Sequence, residues 1–243
     1  NGTSGYEEAG CQGIMAGINA ACRLRSLPPV VLGRDEAYTG ILIDDLVTKG
    51  ADEPYRMFTS RAEFRLNLRI DNADERLTPI AARLGLATPE RHTLLQKKQQ
   101  HKTRFLEFIS RTRISMDGRP VALMEWLKRP EARISAISQR AREFLGEEPV
   151  RGVLATLETE IKYDGYITQQ ARQLERLRHA EARRIPADFA YSGIPGLSRE
   201  IREKLERVRP LTLGQASRIP GVTPAAIALL DVYLSLSSGR ERA

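Results

Sequence analysis

The chain has 243 residues, a formal net charge of +7, 41% hydrophobic and 28% charged residues. That composition excludes a disordered chain and gives enough core for one or two domains. No apolar run reaches the roughly 18 residues that span a bilayer, so no membrane-spanning helix is expected within these residues, and no secretory apolar stretch opens them.

The charge is uneven. Residues 1–90 hold 10 Lys and Arg against 13 Asp and Glu, whereas residues 91–243 hold 28 against 18. A basic half suggests a polyanionic partner, nucleic acid first; the alternative is an Arg-rich solvated helical surface, and the interleaved Glu residues from 143 to 206 favour it.

In chain order, the first predicted element is a helix over residues 4–26, capped by Ser4, with Glu7 and Glu8 in its first turn, Arg23 and Arg25 in its last, and Pro28-Pro29 after it. A start at Asn1 so close to this helix reads as part of a longer protein. Gly10, Gly13, Ala16, Gly17, Ala20 and Ala21 recur at helical spacing. A helical glycine costs about 1 kcal/mol relative to alanine, so the stripe predicts close approach by backbone or ligand, or a face packed on a sheet. Cys11 and Cys22, the two cysteines, fall on this helix. Eleven residues at about 1.5 Å each separate them by ~16 Å, beyond disulfide reach, which predicts a reducing, cytoplasmic setting.

A second helix is expected from Glu36 to Lys49, stopped by Gly50. From Arg61 to Ile70 polar and apolar residues alternate strictly, which predicts a half-buried strand with Arg61, Arg65 and Arg69 on one face, Arg56 extending the row and Asp71-Asn72-Ala73-Asp74 as a turn. Thr88-Pro89-Glu90 is a helix start, cap followed by proline, and opens a long polar helix carrying Leu94, Leu95, Phe105, Leu106 and Ile109. Helices are then expected around 119–128 and 131–145, and a long one from Val150 to Arg184, bent at Gly165 and closed by Pro186.

The tail repeats itself. Ile194-Pro195-Gly196-Leu197-Ser198 recurs 25 residues later as Ile219-Pro220-Gly221-Val222-Thr223, each followed by an amphipathic run. Each copy reads as a tight turn, a hydroxyl cap and a helix, either a phosphate-binding helix-hairpin-helix unit or a docking surface of two packed hairpins.

No complete active site can be assembled. There is no Gly-rich dinucleotide loop, no Walker sequence, no metal-ligand spacing around His92, His101 and His179, and no assignable catalytic residue. The adjacent pairs Asp44-Asp45 and Glu7-Glu8 splay about 100° apart on a helix and make poor acid/base partners. The informative feature is Gly2-Thr3-Ser4-Gly5-Tyr6-Glu7-Glu8, a helix start whose free amides favour negative charge, as on a reduced flavin ring.

The runs NGTSGYEEAGCQGIMAGINAA, AYTGILIDDLVTKG and EPYRMFTSRAEFRLNLRIDNADERLT, with IKYDGYI and IPGLSREIREKLERVRPLTLGQASRIPGVTPAAI in the tail, closely resemble the MnmG/GidA family of bacterial tRNA wobble-uridine modification. The resemblance covers essentially the whole chain and matches the C-terminal portion of such proteins, without their upstream FAD loop. It implies addition of a carboxymethylaminomethyl group at C5 of the wobble uridine, with FAD as cofactor, NADH as reductant, methylene folate as carbon donor and the GTPase MnmE as partner. It also implies a cytoplasmic homodimer that forms a hetero-oligomer with the GTPase. By the resemblance Gly5, Tyr6 and Glu7 face the flavin, and Arg56 and Arg65 touch tRNA; Arg61 joins them from its place on the predicted strand. The expected fold is α+β, mainly α: 1–86 as the C-terminal part of an α/β FAD-binding domain with a tRNA-facing strand, 87–185 as a helical domain, and 186–243 as a helical module for partner or tRNA docking. Alone, the chain is expected to be inactive. The alternative is a non-enzymatic helical adaptor that binds RNA or docks protein.

Overall fold

The computed structural model describes residues 2–116 and 118–240, the last four of these as backbone only. It is 62% helical with one two-stranded sheet, so the expectation of a mainly α fold is met. The chain divides into two compact units, Asn1–Glu63 with Arg172–Ala243, and Phe64–Ala171.

In the first unit, α1 spans Tyr6–Leu24 and α2 spans Tyr38–Lys49. The N-cap of α1 is Gly5; the expected cap, Ser4, instead turns its hydroxyl toward the Tyr55 carbonyl at 3.4 Å. Both cysteines lie on α1 as free thiols, Cys22 buried. Asn19 mimics a backbone pairing: its amide donates to the Val30 carbonyl at 3.0 Å and its oxygen accepts the Val30 N–H at 2.7 Å, fastening the chain that follows Pro28-Pro29 along α1. A Cβ added at Gly10, Gly13 or Gly17 would meet nothing within 4 Å, so the expected close approach along this stripe has no counterpart among the described residues.

The tail of this unit is built as its repeat foretells. Helices α9 (Arg199–Val208), α10 (Leu213–Arg218) and α11 (Pro224–Arg240) enclose Leu205, Leu230, Ala216, Ile219 and Leu234, all nearly inaccessible to solvent. Gly196 and Gly221 both sit at φ +88°, where a side chain would be strained, which is why each turn carries glycine. Ser198 and Thr223 then accept the Ile201 and Ala226 N–H groups, each at 3.3 Å, so both copies use one capping device.

The second unit contains α3 (Ala73–Arg83), α4 (Pro89–Arg111), the hairpin β1 (Arg113–Met116) and β2 (Arg119–Ala122), α5 (Leu123–Leu127), α6 (Ser138–Leu145) and α7 (Val153–Lys162). The strands pair antiparallel with Ile114 opposite Val121 and Met116 opposite Arg119. Helix α4 starts as expected, Thr88 Oγ1 accepting the Arg91 N–H with Pro89 in the first turn. Its Phe105 and Ile109 join Leu123, Leu127, Ala141, Val153 and Leu157 in one core, each completely buried.

Four expectations are corrected. Residues 61–70 form no strand: Leu68 and Asn67 N–H groups bond the Phe64 carbonyl and Arg69 bonds the Leu66 carbonyl, closing turns instead. Ala62, Phe64 and Leu68 are still buried, but among the described residues no neighbouring strand pairs with the segment, and a lone strand has nothing to stabilise its backbone. Of the predicted turn at 71–74, Asp71 and Asn72 do form a turn, but Ala73 and Asp74 start α3. The predicted helix at 119–128 is β2 and the short α5. The predicted long helix breaks at Tyr163, two residues before the expected bend at Gly165, giving α7 and α8 (Asp164–Ala182). Helix α8 runs across the division between the two units, and none of its residues is buried.

Candidate functional site

Two chain segments meet at the start of α1. Gly2 and Ser4 pair with Tyr55 like a fragment of sheet: the Tyr55 N–H donates to the Gly2 carbonyl at 2.6 Å and the Ser4 N–H to the Tyr55 carbonyl at 3.1 Å. This pairing brings residues 55–59 across the mouth of α1, beside the start of α2. Between them lies a cleft of about 360 Å³ lined by Glu7, Glu8, Tyr38, Leu42, Arg56 and Met57 among others.

Glu8 dominates the mouth. It occupies the third helical position, is 7% exposed, and accepts the Met57 N–H at 3.0 Å, while Arg56 Nε lies 3.8 Å from the same carboxylate oxygen. A Cβ at residue 5 would collide with this carboxylate, so Gly5 is the residue that lets Glu8 fold back over the helix start. The Met57 and Glu8 amide bonds, with a smaller contribution from Arg56, hold the Glu8 carboxyl below the usual carboxylate range.

Behind the cleft lies a buried ion cluster. Arg34, 4% exposed, donates from Nη1 to Asp44 at 2.9 Å and to Asp45 at 2.8 Å, and from Nη2 to Glu63 at 2.7 Å. Asp45 is completely buried and also accepts from Lys49 Nζ at 2.8 Å and the Tyr55 hydroxyl at 2.9 Å. Asp44 accepts both forks of Arg218 from α10, at 2.6 and 2.8 Å. Four cations (Arg34, Lys49, Arg61, Arg218) thus face four carboxylates (Asp44, Asp45, Glu63, Glu181). Burial opposes ionisation of Asp45, but Lys49 and Arg34 outweigh it and hold its carboxyl below the ordinary range. A carboxylate depressed on folding adds stability above its unfolded pKa, near 3.9, and loses it as pH falls through the folded value. Urea midpoints of this unit are therefore expected to fall on acidification below about pH 4, and Asp45→Asn is expected to flatten that dependence; an unchanged slope in the variant would refute the assignment.

The residues expected at the site are placed as follows. Gly5, Tyr6 and Glu7 form the first turn of α1; Gly5 is buried under Glu8, Glu7 lines the cleft, and Tyr6 is 95% exposed. Arg56 lies in the same cleft, half exposed. Arg61 is turned inward: its Nε donates to the Arg56 carbonyl at 2.9 Å and its guanidinium stacks 4.3 Å over the Tyr55 ring. Arg65 is exposed and belongs to the second unit. The three arginines therefore do not form a single strand face. Sequence reasoning passed over Arg34, Tyr55 and Arg218, and placed Glu8 in the first turn of α1 without its fold over the helix start. It dismissed Asp44 and Asp45 because adjacent residues diverge on a helix, and that divergence is what lets each hold a different partner. Two acids inside the apolar run ILIDDL were the available signal, since a buried carboxylate requires a cation.

Three family descriptions match the chain: "Glucose inhibited division protein A" over residues 1–28, "tRNA modifying enzyme MnmG/GidA C-terminal helical domain" over 89–171, and "tRNA modifying enzyme MnmG/GidA C-terminal helical bundle" over 173–243. The matches fall in one family and in its chain order. The chain belongs to the MnmG/GidA family. Similar proteins include the tRNA uridine 5-carboxymethylaminomethyl modification enzymes MnmG of Syntrophotalea carbinolica, 50% identical over 96% of this chain, and of Bacillus cereus, 46% identical over 96%. The solved GidA of Aquifex aeolicus superposes with a TM-score of 0.82 at 42% identity, covering 96% of this chain and 39% of that one. The chain spans about 40% of the length of the MnmG relatives it matches. Among the described residues no helix is long and apolar enough to cross a membrane.

Proposed function

We propose that this chain is the tRNA- and partner-binding part of an FAD-dependent MnmG-type enzyme that adds a carboxymethylaminomethyl group at C5 of the wobble uridine, in the cytoplasm, as a homodimer working with a GTPase partner. Relatives near half identity carry the corresponding printed name, which supports the reaction class. The observation that carries the reading within this chain is the shared cleft: the exposed edge of the α1 first turn and the Arg56 guanidinium open into one space.

The cleft suits one end of a planar ring. Tyr38, Leu42 and Met57 give it apolar walls, and Glu7 and Arg56 supply charge at its rim. No phosphate cradle accompanies it in this sequence, so the remainder of an FAD site would lie on residues outside these 243. When bound, FAD would supply electron transfer between NADH and the methylene-folate-derived carbon. The chain's own contribution is positional: Tyr6 and Glu7 would meet the ring, Gly5 would act through the Glu8 carboxylate folded over it, and Arg56 would hold an anticodon phosphate beside it. The tail from residue 186 would dock the GTPase. Its Ser198 and Thr223 hydroxyls already engage the first-turn amides, which favours the docking surface over phosphate binding.

Filter binding of tRNA across a salt series tests this reading. Affinity is expected to fall steeply with salt, and Arg56→Ala and Arg65→Ala are each expected to weaken binding about fivefold and lower the salt slope by about one. Arg61→Ala is expected to lower the melting temperature as well, because its guanidinium is spent on Tyr55 and Arg56. Salt-insensitive binding, or Arg56 and Arg65 variants equal to the parent, would favour the adaptor reading.

A further inference from the structure

The tail and the α1 cleft are joined by an unbroken run of short contacts within the first unit. Thr212 caps α10 by accepting the Gln215 N–H at 3.0 Å, and its own hydroxyl donates to Glu181 at 2.5 Å. Glu181 also forms an ion pair with Arg218 Nη1 at 2.5 Å. Arg218 grips both oxygens of Asp44; Asp44 shares Arg34 with Asp45; Asp45 accepts the Tyr55 hydroxyl. Tyr55 holds Gly2 and Ser4 through its backbone, and Arg61, stacked on its ring, holds the Arg56 carbonyl. The interior side chains of the run are almost dry, with Arg34 at 4%, Asp45 at 1% and Asp44 at 10% exposure.

We propose that Arg218 is a positioning residue: by completing the charge balance around Asp44 it sets where Tyr55 and residues 56–57 stand against the mouth of α1, so that the state of the tail is felt at the cleft. The reason is electrostatic. Without Arg218 the cluster keeps three cations against four carboxylates around a nearly dry centre of Arg34, Asp44 and Asp45. Arg34 Nη1, which divides one donor group between two aspartates, is drawn to Asp44 at the expense of Asp45. Asp45 then changes its hold on Tyr55, and Tyr55 is the residue whose backbone frames the α1 start. Coupling of this kind is reciprocal, so a molecule seated on the tail and one seated in the cleft would each alter the affinity of the other by the same factor. This inference goes beyond the proposed reaction, since it needs neither FAD nor tRNA to hold.

Amide hydrogen exchange on the full chain tests it, with no ligand added. In Arg218→Met the Ser4, Tyr55 and Met57 amides, whose acceptors are Tyr55, Gly2 and Glu8, are expected to exchange about tenfold faster than in the parent, and Arg218→Lys is expected to restore part of the protection. Faster exchange confined to residues 181 and 212–220 would show a local tail clamp and overturn the proposal. Should the methionine variant lose its fold, Asp44→Asn probes the same link from the other side: the Gln215 and Ala216 amides of α10 are then expected to lose protection together with Tyr55, and loss at Tyr55 alone would overturn the coupling. In the double variant the loss at Met57 is expected to match that of one single variant; a multiplicative loss would mean that the two residues act independently.

Discussion

Asp45→Asn is expected to lower the stability of the first unit by roughly 3–5 kcal/mol, the range seen when one partner of a buried ion pair is removed. The substitution preserves shape, so packing does not explain the loss. Asp45 has no exposure and receives Arg34, Lys49 and the Tyr55 hydroxyl at 2.8–2.9 Å. An asparagine oxygen in place of Oδ1 can still accept from Arg34 and Lys49, but its amide turns a donor toward the Tyr55 hydroxyl, and Arg34 stays buried with one negative charge fewer beside it. Tyr55→Phe is the natural control. It removes one hydrogen bond and is expected to cost only about 1–2 kcal/mol. Arg34→Met should cost as much as Asp45→Asn, and the two together less than their sum, because each exposes the same imbalance. Urea midpoints measured by circular dichroism decide the matter. A loss below about 1 kcal/mol for Asp45→Asn would mean that water reaches the cluster and that its charges are not tightly coupled.

The sequence showed several elements that depend on local chemistry, although Ser4, which has the side chain of a cap, does not cap α1. Thr88-Pro89 and the paired Ile-Pro-Gly turns are self-contained signals, and the structure uses them as caps and positive-φ turns at those positions. Elements whose conformation depends on distant partners were not legible. The alternation from Arg61 to Ile70 has the right period for a strand but lacks a neighbour to pair with, so its apolar residues are buried from turns. The hairpin at 113–122 was missed for the opposite reason. Its strands are four residues each, and Leu123-Met124-Glu125-Trp126-Leu127 behind it carries a stronger helical pattern.

The site divides in the same way. A helix start rich in glycine is visible in Gly2 to Glu8, and it lines a cleft with Arg56. The occupant of that mouth was not visible, because Glu8 folds back through a contact with Met57 that lies 49 positions away in the chain. Arg34 lies 10 positions before Asp44 and Arg218 lies 174 positions after it. Single charged residues spread over such distances have no period and no spacing to betray them. They become a cluster only once α10 is folded against α2.

Phe105→Ala is expected to destabilise the second unit by about 3–5 kcal/mol, and the reason lies in how little of α4 is apolar. Of its 23 residues only Leu95, Phe105 and Ile109 are buried hydrophobics, and the rest of the helix is mostly polar surface that adds little to stability. Phe105 is the largest completely buried side chain there, packed with Ile109, Leu123 and Leu157, so its loss opens a cavity that short flanking helices cannot easily collapse. Trp126, the one tryptophan in the sequence, packs against this core and reports its unfolding directly by fluorescence. With a urea slope of about 2 kcal/mol per molar, the midpoint is expected to move down by about 2 M. Leu94→Ala, 56% exposed on the same helix, should stay within about 0.5 kcal/mol of the parent. The loss would extend to the segment bearing Arg65, because the buried Lys98 of α4 donates to the Asp71 carbonyl at 2.6 Å and to Asp74 at 2.7 Å, while Thr156 of α7 bonds the same carbonyl at 3.1 Å. Phe105→Ala is thus expected to reduce tRNA affinity steeply on warming while Leu94→Ala does not, and equal temperature profiles for the two would separate Arg65 from any role in holding RNA.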